Sequence, residues 1–307
     1  MANNTLHSNS NLSFIRRFIY QNKVGYLFIL PALLLYAIFF IYPFIGTFYF
    51  SLTNWNGVSP QKTFVGFNNY IRIVKDSLMW TSLYHNVIWI IIGTVTPIVI
   101  GLLLVVLLGN KKTKGQMFFR IIYFMPVILS PVIVGIIWGW IYNPVFGMLN
   151  RILKVIGLGF LSRGWLGDPN LAIYMVLIAA IWAYFGFCVV VLMAGMQGVD
   201  MNLYDAAKCD GANSWQQFIN VTIPQLSPVL TMLSVYTMIG GFKVFDIVFI
   251  MTRGGPANST ELIATYTYNQ SFQLNKLGYG SALCMVMVFL SLIVSIILIK
   301  FREKSEV

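Results

Sequence analysis

Charge is what this sequence has least of. Only 9% of its 307 residues are Asp, Glu, Lys or Arg, while 58% are hydrophobic. So little charge cannot cover a soluble domain, and the composition places the chain among polytopic membrane proteins. Acidic residues are the scarcer sign, nine against 20 basic ones, for a formal net charge of +11. That balance would suit nucleic acid if the bases formed one patch or arm. They sit instead between apolar runs, which excludes nucleic acid and points to anionic headgroups of membrane lipid as the counter-charge.

Cysteine and histidine are nearly absent too. Cys188, Cys209 and Cys284 have no paired ligand spacing, and His7 and His85 stand alone. Neither a disulfide framework nor a metal site follows from them. No Gly-rich loop is followed by Lys-Ser or Lys-Thr, so the chain is not expected to bind ATP. The apolar runs hold no carboxylate pair for acid–base work, so no catalytic residue is expected. A cleavable signal is missing as well. The first apolar run, from Val24, is too long for a signal core and no small-x-small site follows it, so it is expected to stay as an anchor.

What is present is six apolar runs, at about 24–50, 86–109, 117–141, 170–195, 228–250 and 278–299. Each is long enough to cross a bilayer as a helix, the single-segment form that satisfies its own backbone there. The expected fold is all-α, with six transmembrane helices forming one domain over 24–299. A polar segment, 1–23, precedes it and a charged tail, 300–307, follows. Pro31 and Pro43 are read as kinks in the first span. Phe67, Tyr70, Ile71 and Val74 suggest a short amphipathic surface helix, and Leu149–Ile156 another.

Six spans put both termini on one side. Arg16, Arg17, Lys23, Lys111, Lys112, Lys114, Arg120, Lys208, Lys300, Arg302 and Lys304 fall on that side, many beside span ends. The longer loops of the other side hold fewer. The positive-inside rule then makes both termini, and the loop at 196–227, cytoplasmic.

That loop is a polar island between two charge-free stretches. Asp200 or Asn202 can cap a first short helix, and Ala206 and Ala207 favour it. Gly211 suits a left-handed stop. Asn213 or Ser214 can cap a second helix, with Trp215, Phe218, Ile219 and Thr222 along one face and Pro224 expected to end it. A helix–Gly–helix at a membrane surface is either an elbow that reverses the chain or a knob that docks into a partner. The residues alone leave both readings open. Lys243 and Asp246 are the charges placed inside a span. Three apart on a helix they share a face and could pair, or could stand on a solute path.

Asp205-Ala206-Ala207-x-x-Asp210-Gly211-Ala212, with Phe218, Ile223, Pro224 and Pro228 downstream, resembles the cytoplasmic coupling loop of ABC-importer permeases. One position departs, since the family's first residue is usually Glu and here is Asp205. Phe245-Asp246, Thr252-x-Gly254-Gly255-Pro256, Tyr268, Phe272 and Gly278-Tyr279-Gly280-Ser281-Ala282 are similar to the branch that imports carbohydrates. So are Trp138 and Trp182 with Ala194-Gly195-Met196-Gln197.

The resemblance runs from about residue 25 and implies a type I permease fold in a bacterial cytoplasmic membrane. It implies coupling through Tyr204, Asp205, Ala206, Ala207, Asp210, Gly211, Ala212, Phe218 and Pro224. The implied partners are a second, related permease, two ATPase subunits that hold the ATP and Mg²⁺, and an external solute-binding protein. A sugar path needs aromatic faces and hydrogen-bonding groups, and the candidates are Trp182, Tyr184, Tyr236, Lys243 and Asp246.

Overall fold

The computed structural model describes residues 23–108 and 115–303. Most of the segment 1–23, the basic loop with Lys111, Lys112 and Lys114, and the last four tail residues lie outside the described residues. The rest is helical. The first span is α1 (Lys23–Tyr36), a π turn (Ala37–Ile41) and α2 (Tyr42–Ser51) in one run. Pro43 follows the π turn, a widened stretch that can absorb a missing backbone donor.

The surface helix α3 (Asn68–Lys75) leads into α4 (Ser77–Leu108), which begins nine residues before the expected second span. The early turns read as polar loop because they carry Ser82 and His85. Ser82 and Asn86 are in fact buried. α5 (Gln116–Ile128) and α6 (Pro131–Ile141) make the third run, bent by 99° between them. Pro131 opens α6 and Ser130 caps it, so the chain stops and restarts there.

α7 (Met148–Val155) is the second short helix, and α8 (Ala172–Met196) the fourth span. The polar island folds as α9 (Met201–Cys209), α10 (Ser214–Gln217), a π turn (Phe218–Thr222) and α11 (Ile223–Gln225). Pro224 was expected to end the second helix and does not. The π turn before it supplies the slack, and the bend of 66° comes after Gln225.

α12 (Ser227–Phe242) then stops short, and α13 (Asp246–Met251), α14 (Ile263–Tyr268), a π turn (Asn269–Gln273) and α15 (Leu277–Glu303) complete the chain. Four helices are long and apolar enough to span by themselves, and the two bent pairs bring the number to as many as six among the described residues.

Three apolar clusters hold the bundle. Ile98, Val105, Cys188, Leu192, Leu226 and Leu233 join α4, α8 and α12 at the end next to α9. Trp89, Val134, Val176, Leu177 and Val248 join α4, α6, α8 and α13 in the middle. Ile73, Met79, Ile263, Tyr279 and Leu283 join α3, α4, α14 and α15 at the far end. Small residues set the closest approaches, as membrane helix packing favours. A Cβ at Gly186 would fall 1.8 Å from the Tyr123 carbonyl oxygen, so α8 lies directly on α5. No residue of α1 whose exposure is described is buried, and Leu27, Phe28 and Leu33 along it, with Phe40 in the π turn, are exposed.

Candidate functional site

The elbow at one end of the bundle is built from its own residues. The Asp200 carboxylate accepts from the Asn202 amide at 2.9 Å and starts α9. Gly211 has φ +78°, and the Ala212 and Gly211 amides donate back to the Ala207 and Lys208 carbonyls at 2.9 and 3.0 Å. This is a Schellman stop, which an L side chain resists. Asn213 and Gln216 then form a reciprocal capping box, at 2.9 and 2.8 Å, that starts α10. The hydroxyls of Tyr204 and Thr222 lie 2.8 Å apart and lock the two arms.

None of α9 is buried. Asp205, Ala206, Asp210, Gly211 and Pro224 are exposed, and Tyr204, Ala207, Ala212 and Phe218 are half-buried. Lys208 donates to Asp205 at 2.9 Å, the one ion pair among the described residues. Trp215, exposed, leans on Phe218 with ring centroids 5.6 Å apart. The knob therefore presents a rigid, unburied surface with apolar and carboxylate groups side by side.

Midway up the bundle is a cavity of about 580 Å³. Tyr184, Tyr236, Lys243 and Asp246 all line it, with Trp89 and Phe245. Trp182 does not. It packs edge-on against Trp138, ring centroids 5.7 Å apart, in the middle cluster. Tyr184, Phe187 and Tyr236 form a ladder of rings at 5.4 and 5.7 Å. The Tyr184 hydroxyl is buried and has no hydrogen-bond partner among the described residues. A buried hydroxyl in that condition favours a hydroxylated or amide-bearing visitor.

The helical pairing expected of Lys243 and Asp246 does not occur. α12 ends at Phe242, Phe245 has φ −134°, and Asp246 begins α13. The two charges flank a break instead of sharing a helix face, and neither forms an ion pair among the described residues. Gly240 and Gly241 weaken the helix just before the break, a signal that the sequence did carry.

The far end holds residues that pattern reading passed over. Burial pushes the Asp76 carboxyl up. Hydrogen bonds from Tyr266, from Tyr279 at 2.5 Å and from the Leu78 and Met79 amides outweigh it, and hold the carboxyl below its ordinary range. Glu261 is 2% exposed, and burial raises its pKa against the hydrogen bonds of Thr265 and Asn269. Gly254 gives it room, since a Cβ there would fall 2.1 Å from the Glu261 Oε2. The Thr252 and Thr260 hydroxyls close this loop at 2.7 Å. Tyr268 gathers Phe245, Phe249 and Phe272 around it. For Asp76 the available hint was an acidic residue just before a helix start.

The chain matches the family of binding-protein-dependent transport system inner membrane components over residues 80–302. It is 34% identical over 280 residues to the trehalose/maltose transport system permease protein MalF of Thermococcus litoralis, covering 91% of this chain and 94% of that one. It is 35% identical over 288 residues to the probable ABC transporter permease protein YurN of Bacillus subtilis, covering 93% and 98%. Its fold is similar to a crystal structure of a bacterial ABC transporter involved in import of the acidic polysaccharide alginate. There the TM-score is 0.81, with 21% identity, covering 94% of this chain and 98% of that one.

Proposed function

The chain belongs to the family of binding-protein-dependent transport system inner membrane components, and from that premise we propose that it is the permease subunit of an ABC importer for a carbohydrate. Permeases with extensive identity to it carry names that refer to such solutes. The observation that carries the reading within this chain is the cavity. Aromatic faces at Tyr184 and Tyr236, with a buried hydroxyl and two charges that have no partner among the described residues, suit a hydroxyl-rich solute that stacks and hydrogen-bonds.

The knob α9–α10 is the coupling element. Its placement at the end of α8 and the start of α12 connects it to two of the helices that wall the cavity. An ATPase subunit that grips the knob more tightly in one state than in another would tilt both helices, and only such a difference can do work. Tyr204, Asp205, Ala206, Ala207, Asp210, Gly211 and Ala212 form the gripped surface, with Phe218 and Pro224 on the supporting arm. Both termini and the knob face the cytoplasm, where ATP and Mg²⁺ are held by two ATPase subunits. A second, related permease covers the exposed face of the first span, and an external solute-binding protein delivers to the far end.

The test is uptake by proteoliposomes that hold the complex purified through a tag on this chain. Labelled trehalose, maltose, glycerol phosphate and an amino acid are supplied with the cognate binding protein. ATP-dependent uptake of a sugar supports the reading. Uptake of the amino acid alone contradicts the carbohydrate assignment, and uptake without ATP contradicts the coupling.

A further inference from the structure

Asn86 lies in the third turn of α4 and is fully buried. Its amide is used at both ends. The Nδ2 donates to the Gly241 carbonyl at 3.1 Å, and the Oδ1 accepts from the Ile263 amide at 2.8 Å. Both partners are helix-end groups. The Gly241 carbonyl is among the last four of α12 and the Ile263 amide is the first of α14, so neither has a partner within its own helix. One side chain therefore caps two helices that are otherwise joined through the break, α13 and a loop.

The contact is tight. A Cβ at Gly241 would fall 2.8 Å from Ile90 Cγ1, one turn along the same helix from Asn86. Trp89 and Gly93, on the following turns, line the cavity together with Gly241, Lys243 and Asp246. The Nδ1 of His85 lies 3.0 Å from the Glu261 carbonyl oxygen, a second tie to the same strap.

We propose that Asn86 is a positioning residue of the cavity: it seats the broken end of α12 and the start of α14 on α4, and so aims Lys243 and Asp246 inward. The proposal rests on the reading of this cavity as the solute path, but its geometry stands without any solute. Leucine has nearly the shape of asparagine and neither bond. Asn86→Leu strands two polar groups in apolar surroundings, and the helix ends must shift to find partners. Asn86→Asp keeps an acceptor for Ile263 and turns an oxygen on the Gly241 carbonyl, so it frees α12 alone.

The experiment reads position, not transport. Asp246→Cys is introduced into the full complex with Cys188, Cys209 and Cys284 changed to serine. Its reaction rate with a membrane-impermeant maleimide is followed. Asn86→Leu should change that rate about fivefold or more, the shift that one lost hydrogen bond makes in a local equilibrium. A reporter at Met201→Cys on the elbow should keep its rate. If Asn86→Leu fails to accumulate, Asn86→Asp should give the same direction of change at Asp246→Cys. An unchanged rate in an abundant Asn86 variant overturns the proposal, as does an equal change at Met201→Cys. A rate that responds to Asn86 but is not slowed by trehalose or maltose supports the positioning role and contradicts the solute-path reading.

Discussion

The break at Gly211 is closed by residues within five positions of it, whereas the break after Phe242 is closed by a side chain 155 positions away. At Gly211 the stop, the cap and the restart all come from 207–216. After Phe242 the freed Gly241 carbonyl is met by Asn86 from another span. The first arrangement holds its shape with its surface free, which suits a part gripped by another protein. The second holds its shape only inside the bundle, which suits the wall of a cavity that must move with its neighbours. A self-capped break is portable, and a remotely capped one reports on the packing around it.

The largest effect should come from the backbone at Gly211. Nothing lies within 4 Å of a Cβ there, so bulk is not the obstacle; φ is. Gly211→Pro cannot adopt φ +78° and loses the amide bonded to the Lys208 carbonyl. ATP-driven uptake should fall by about tenfold or more at unchanged membrane abundance, a loss matching the strain of an incompatible proline. Gly211→Asn, which tolerates the left-handed region, should keep most of it. Normal uptake by the proline variant would mean that the stop is not part of coupling.

Next comes bulk at the second break. Gly241→Val drives a side chain into Ile90 and should cost about 1–3 kcal/mol, read as a lowered unfolding midpoint in detergent. Gly240→Ala is the control, because a Cβ there meets nothing within 4 Å. Equal losses at the two glycines would remove the close approach from the account. Smaller effects belong to the local caps. Asp200→Ala and Asn213→Ala should each cost about 1 kcal/mol, seen as faster amide exchange confined to α9 or α10. Exchange that spreads into α8 would show that the elbow is not self-contained. The smallest change is Lys208→Ala. Its ion pair with Asp205 is exposed on both sides, so stability should move by less than about 1 kcal/mol.

The same contrast decides what could be read in the sequence. The elbow was legible because its signals are near neighbours: Asp200, Gly211 and Asn213 sit at the positions their chemistry requires. The fourth span, expected at about 170–195, was legible for a similar reason, as it carries no charge and is apolar over nearly all of its length. The break after Phe242 was passed over despite Gly240 and Gly241, because apolar Ile247 to Met251 continue the pattern across it. Ser82 and His85 made α4 look shorter than it is, since polarity reads as exposure until the packing is known. Of the residues expected on a solute path, Tyr184, Tyr236, Lys243 and Asp246 lie on the cavity wall, while Trp182 lies in the middle cluster, since an aromatic ring suits a core as well as a cavity wall.

The proposed grip of an ATPase subunit on the self-capped knob is open to one direct measurement. The direct measurement is purification of the tagged complex from its native membrane, with and without Ala206→Trp. Ala206 is exposed, so the added ring meets a partner and not this chain's own core. A stoichiometric ATPase subunit is expected with the parent chain and its loss from the variant, while the second permease remains. An ATPase retained in full by Ala206→Trp would contradict it.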